Sequence, residues 1–186
     1  MSQPASAYFI DEQSEVEHRT TFAMLVSNEP GTLARVVGLF SGRGYNIESL
    51  TVSETEHEKH LSRITIVTRG TDKVLAQIKA QLQRLVPVHK VVDVTEAARL
   101  GGHEKAIERE LALVKVAGTG TNRLESLRLA ESFEAKVVDA TTGHFVFEIT
   151  GRSNKVEQFI SIMQPLGLVE VARTGIAAVN RGAAGL

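Results

Sequence analysis

Gly31 and Asn46 are the residues whose types and spacing offer the most definite chemistry in this chain, and that chemistry is recognition. They belong to a stretch from Asn28-Glu29-Pro30-Gly31 to Asn46-Ile47 that reads as a strand end, a tight turn, an amphipathic helix and the start of a second strand. Pro30 has a φ suited to a first helical turn and no N–H to leave unpaired there. Gly31 lets a ligand approach the backbone without meeting a Cβ. The first N–H groups of a helix lack intrahelical acceptors and carry the positive end of its dipole, which suits a carboxylate. The Asn46 carboxamide accepts from an amine and donates to a carboxylate. An Asn-Glu-Pro-Gly turn alone reads equally well as punctuation before a helix. Asn46 and the bare helix start tip the balance towards an amino-acid site.

Other groups carry less. Gly118-Thr119-Gly120 follows a strand and precedes a helix, but Arg123 stands where a dinucleotide fingerprint needs its third glycine, so it reads as a turn. No phosphate loop, nucleophile elbow or His-Glu-x-x-His occurs. Of the six histidines, His57 and His60 sit three apart in a charged hairpin, and His18, His89, His103 and His144 are scattered. They read as solvated surface, since a metal site needs three or four convergent ligands. Glu54, Glu56 and Glu58 read as a solvated loop.

The elements that position these residues repeat once. Phe22, Met24 and Val26 alternate along a strand over 20–26, and Leu33, Val36, Val37 and Phe40 form one buried helical stripe. Gly38 inside that helix costs ~1 kcal/mol of propensity and predicts a close helix–sheet contact. Strands follow over 46–54 and 61–68, then a helix capped at Gly70-Thr71-Asp72 and stopped by Pro87, then a strand over 88–94. The order is the ferredoxin-like βαββαβ arrangement, an antiparallel sheet with both helices on one face. Apolar residues on both faces of the strands predict that a partner, most simply a second copy, covers the other face. After Gly101-Gly102 the pattern returns, with a strand over 110–116, a helix carrying Leu124, Leu127 and Phe133, and strands over 136–140 and 144–150. A helix capped by Ser153 or Asn154 and a strand over 168–173 complete it. The fold class is therefore α+β, two tandem ferredoxin-like βαββαβ domains. The expected organisation is a flexible arm over 1–17, a first domain over 18–96, a linker over 97–106 and a second domain over 107–186.

The bulk numbers agree. A chain of 186 residues with 42% hydrophobic content supports two small cores. Twenty-one basic against twenty-two acidic residues leave a net charge of −1, so no global field gathers nucleic acid or anionic lipid. Zero cysteines exclude disulfides and thiolate chemistry and fit a reducing compartment. No apolar run approaches the ~20 residues of a membrane span, and the first residues lack the pattern of a secretory signal. The expectation is a cytoplasmic protein with no membrane or nucleic-acid partner.

Several motifs together resemble one family. The run Gly38-Leu39-Phe40-Ser41-Gly42-Arg43-Gly44-Tyr45-Asn46-Ile47-Glu48-Ser49-Leu50-Thr51-Val52 is similar to the ACT domain of the small, regulatory subunit of acetohydroxyacid synthase, also called acetolactate synthase. Leu61-Ser62-Arg63-Ile64-Thr65-Ile66, Arg109 to Val116, Glu170 to Gly175 and Arg181-Gly182 extend the resemblance over about residues 18 to 182. It implies that the first domain is an ACT domain and that this chain performs no chemistry of its own. A separate large catalytic subunit would hold thiamine diphosphate, Mg²⁺ and FAD, and join a two-carbon unit from pyruvate to pyruvate or 2-oxobutyrate. The small subunit would raise that activity and confer feedback inhibition by valine in branched-chain amino-acid biosynthesis. Paired ACT domains of a homodimer would hold valine at their interface. Asn28, Gly31, Thr32 and Leu33 match the family's turn and helix start, and Asn46 and Ile47 its second contact, from the neighbouring chain. Ala34 lies where related sequences carry a small residue. A stand-alone amino-acid or metal-ion sensor built from two ferredoxin-like modules is the alternative reading.

Overall fold

Alternation along the first strand sets the architecture, because Phe22, Met24 and Val26 turn to one side and Ala23 to the other, and all four are buried. A computed structural model describes residues 16–56, 58, 60–96, 106–183 and 185–186. Most of the expected arm and of the expected linker lies outside these residues. The elements are β1 (His18–Ser27), α1 (Thr32–Ser41), β2 (Ser49–Glu56), β3 (Leu61–Gly70), α2 (Asp72–Leu82) and β4 (Val88–Asp93). There follow β5 (Ala106–Ala117), α3 (Gly120–Ser132), β6 (Lys136–Ala140), β7 (His144–Gly151), α4 (Ser153–Met163), a 3-10 turn over Gln164–Leu166, β8 (Leu168–Arg173) and β9 (Ala177–Asn180). The sheets run β2-β3-β1-β4 and β6-β7-β5-β8, every pairing antiparallel. The second order is the first repeated, so the chain is two ferredoxin-like units in tandem, as the sequence predicts.

Each unit has its own core on the helix side. In the first, Phe22, Met24, Ile64 and Ile66 pack against Val36 and Phe40 of α1 and Leu75, Ile78 and Leu82 of α2. In the second, Val114, Phe147 and Ile149 meet Ala130 of α3 and Val156, Phe159 and Met163 of α4. No helix among the described residues is long and apolar enough to cross a membrane.

The opposite face of the first sheet is where expectation and structure part. Ala23, Val67 and Val94 are closed over by Ala106, Ile176 and Ala178 of the same chain, where the sequence pointed to a second copy. The reason lies in β5, which begins at Ala106 and not near Glu110. Its first four residues pair with β9, from Ala106↔Asn180 to Arg109↔Ala177, and this two-stranded ribbon lies on the sheet.

Helix faces also differ in detail. The inner side of α1 is Thr32, Val36 and Phe40 with Leu39, while Leu33 is 41% exposed. Gly38 faces outward, and a Cβ there would meet nothing within 4 Å, so no close helix–sheet contact explains it. In α3 the small Ser126 and Ala130 face inward, because the rings of Phe145, Phe147 and Phe159 already fill the space beneath; Leu124 is 66% exposed. Thr71 caps α2, accepting the Val74 N–H at 3.4 Å. The N-cap of α4 is Arg152, not Ser153 or Asn154, and it supplies no side-chain hydrogen bond. Asn154 instead accepts from the adjacent Lys155 N–H at 2.8 Å.

Candidate functional site

The turn before α1 is built by Glu29-Pro30-Gly31-Thr32. Thr32 N–H donates to the Glu29 carbonyl at 3.2 Å, and Gly31 sits at φ 87°, ψ −9°. With proline before it, that is a type II turn, whose third position demands the left-handed backbone that glycine adopts without strain. Pro30 therefore serves the turn and lies outside the helix it was expected to begin. The helix ladder starts with Arg35 N–H on the Gly31 carbonyl at 3.0 Å. Between these bonds, no backbone or side-chain acceptor among the described residues engages the N–H groups of Leu33 and Ala34. The first turn holds no acidic residue and no side-chain cap, so the positive helix end is left uncompensated.

The predicted residues of this turn contribute unequally. Gly31 and Ala34 are exposed, and Leu33 offers an accessible branched side chain beside two unpartnered amides. Thr32 is 6% exposed and its own N–H is spent on Glu29, so it positions the turn from within. Asn28 is exposed, and its backbone N–H donates to His60 O at 2.7 Å, tying the turn to the start of β3.

Asn46 and Ile47 precede β2, which starts at Ser49 and not at Asn46. The Asn46 carbonyl accepts from Thr68 Oγ1 at 2.6 Å, its side chain is exposed, and Ile47 packs half-buried against the core. One chain does not bring these residues to Gly31. They follow the far end of the ten-residue α1, about 15 Å along its axis at ~1.5 Å per residue. Along β3 the anchors His60 and Thr68 are likewise separated by about 25 Å at ~3.3 Å per residue.

The junction between the two units holds polar groups that no sequence motif flagged. Glu108 meets Arg19 at 3.3 Å and Thr21 Oγ1 at 2.5 Å. A cavity of about 530 Å³ opens there, lined by Arg19, Glu48, Arg69, Glu110, Glu157 and Arg173 among others. Its charges neutralise one another. Arg19 and Arg69 share Glu48, and Arg173 grips the buried Glu110 at 2.6 and 2.8 Å and Glu157 at 2.5 Å. The hydrogen bonds to Glu110, with the further help of Glu157, hold the Arg173 guanidinium protonated even more firmly than an ordinary arginine. The signal that was available is the short apolar run Ile176-Ala177-Ala178-Val179, while the burial of Ile176 and Ala178 against exposed Ala177 and Val179 is set by the fold.

The histidines remain dispersed. His144 lies between Asp139 and Thr141, each at 2.8 Å, and His89 meets Ser27 Oγ at 2.9 Å. His57 and His103 lie outside the described residues. Among the described residues no three His, Asp or Glu side chains gather as a metal site.

The chain is thus two ferredoxin-like units in tandem, the first presenting a glycine turn and an uncapped helix start. Residues 22–90 match the family described as AHAS small subunit-like ACT domain, and residues 109–182 the one described as small subunit of acetolactate synthase. A probable acetolactate synthase small subunit of Archaeoglobus fulgidus is 46% identical over 87% of this chain and 96% of its own. The acetolactate synthase isozyme 3 small subunit of Escherichia coli is 44% identical over 88% of this chain and 96% of its own. The crystal structure of the acetolactate synthase small subunit from Thermotoga maritima superposes with a TM-score of 0.78 at 38% identity, covering 90% of this chain and 99% of that one. The chain belongs to the family of acetolactate synthase small subunits.

Proposed function

We propose that this chain is a regulatory subunit of acetolactate synthase, which raises the activity of a separate large catalytic subunit and makes it subject to feedback inhibition by valine. Thiamine diphosphate, Mg²⁺ and FAD belong to the catalytic partner on this reading, and the complex works in the cytoplasm. The observation that carries the effector assignment is the pair of unpartnered amides of Leu33 and Ala34 behind the left-handed Gly31, in a chain of this family. The valine carboxylate takes those amides, with the helix dipole behind them. Its ammonium takes the Asn46 carboxamide oxygen, and its branched side chain lies between Leu33 and Ile47. Because Asn46 is distant from Gly31 within one chain, the second half of the site comes from the Asn46 and Ile47 of another copy. The ACT domains therefore form a homodimer with valine at the seam. Binding at such a seam regulates only insofar as valine prefers one arrangement, and a coupling of ~1–3 kcal/mol suffices.

The test is co-purification with the cognate catalytic subunit and an acetolactate assay with and without valine. Gly31→Asp should abolish valine inhibition, but φ 87° makes it a strained substitution. Ala34→Glu is cleaner. A carboxylate three positions past the N-cap favours the helix by ~0.3–1 kcal/mol and occupies the anion site from within. We expect Ala34→Glu to keep activation and to raise the half-inhibitory valine concentration at least tenfold. Unchanged inhibition would remove the site assignment, and pyruvate turnover by this chain alone would remove the regulatory reading.

A further inference from the structure

We propose that the ribbon formed by β9 and the first third of β5 is the arm that transmits occupancy of the ACT site to the second ferredoxin-like unit. The inference rests on the effector reading above and adds the route by which that site acts. β5 is one uninterrupted strand of twelve residues. Residues 106–109 pair with β9 on the outer face of the first sheet, and residues 110–117 run as a central strand of the second sheet, between β7 and β8. A strand about 40 Å long at ~3.3 Å per residue is thus shared by both units.

Both halves of the effector site are joined to this ribbon through hydrogen-bonded strands of the first sheet. Asn46 is three residues before Ser49, whose Oγ accepts the Ile176 N–H at 3.0 Å; on the same face of β2, the next residue but one, Thr51, donates its Oγ1 hydrogen to the Ile176 carbonyl at 3.1 Å. Gly175, at φ +79°, passes so close that a Cβ would stand 2.8 Å from Ser49 Oγ and 2.9 Å from Thr51 Oγ1. The Gly31 turn continues β1, whose opposite end, about 23 Å along the strand at ~3.3 Å per residue, holds Glu108 through Thr21 and Arg19. Arg63, near the end of β3 where His60 anchors Asn28, donates to the Ala178 carbonyl at 2.6 Å. Its partial burial disfavours the charged form and removes competing water. Ala106, Ile176 and Ala178 complete the contact with Ala23, Val67 and Val94. A close-packed seam of this kind transmits a shift of β1 or β2 as a movement of β5 instead of absorbing it.

Hydrogen–deuterium exchange on the full chain, with and without saturating valine, reads this directly. The expected result is at least fivefold slower exchange at residues 28–34 together with a change of similar size at 106–109 and 176–180. Protection at 28–34 with the ribbon unaffected would overturn the coupling and leave the effector site standing; no change in either place would overturn the effector site and the coupling with it. A second measurement uses the variant Arg63→Met with Thr51→Val, which removes two side-chain clamps and touches no predicted valine contact. In complex with the catalytic subunit it should bind valine within twofold of the parent while maximal inhibition falls at least fivefold. Should the double variant not fold, Arg63→Met alone serves, with a smaller loss of the same kind expected. Inhibition retained at the parental level overturns the proposal.

Discussion

Glu110 is the single residue on which the second unit's polar seam depends most. It is 4% exposed, and both its carboxylate oxygens are held by Arg173, which is itself one-third exposed and also bound to Glu157. Deleting a buried charged partner costs several kcal/mol, but the remaining solvent access and the second carboxylate reduce that here. We expect Glu110→Ala to lower stability by about 2 kcal/mol in urea titration, and Glu110→Gln by less, since the amide oxygen still accepts. Ser153 points the other way. Its Oγ is buried with no hydrogen-bond partner among the described residues, so Ser153→Ala should leave the melting temperature unchanged or raise it slightly. Gly31 and Ala34 show why residue type alone was ambiguous. Proline followed by glycine marked the turn, yet only the bonds made by Thr32 and Arg35 reveal which amides are left over.

At the scale of elements, the helices were legible in extent and less so in facing. In α1 the stripe Leu33, Val36, Val37 and Phe40 and the observed stripe Thr32, Val36 and Phe40 share two residues. The helix rolls so that Leu33 faces out because Thr32 closes the turn against the core. In α3 the apolar Leu124 and Leu127 were natural candidates for burial, and Ser126 and Ala130 took their place under the crowded phenylalanines. Capping was better specified at Thr71 than at α4. A capping bond of 3.4 Å is long, so Thr71→Ala should cost only about 0.5 kcal/mol, at the low end for such caps, as a small fall in melting temperature with function intact.

The whole molecule is held as one body by the ribbon over the first sheet. Ile176 and Ala178 are buried against Ala23, Val67 and Val94. Truncating Ile176 to alanine should therefore cost about 2–4 kcal/mol by lost burial and the cavity left behind. Calorimetry of the parent chain should show a single transition, because β5 is a central strand of the second sheet and its first residues, paired with β9, pack on the first. In Ile176→Ala the transition should broaden or split. A parent that already melts in two well-separated steps would contradict this picture of the seam.

Sequence alone determined the two βαββαβ units, their helix-side cores and the glycine turn ahead of α1, because these rest on local periodicity and turn chemistry that act within a few residues. It carried the family's motifs as well. The tertiary structure alone decided what covers the outer face of the first sheet, since Ala23 and Val67 cannot announce from their own neighbourhood that residues 106 and 176–178 will reach them. It also decided which polar groups meet at the junction of the two units, where Glu108 reaches Arg19 and Thr21 across a separation in sequence that local residue patterns do not encode.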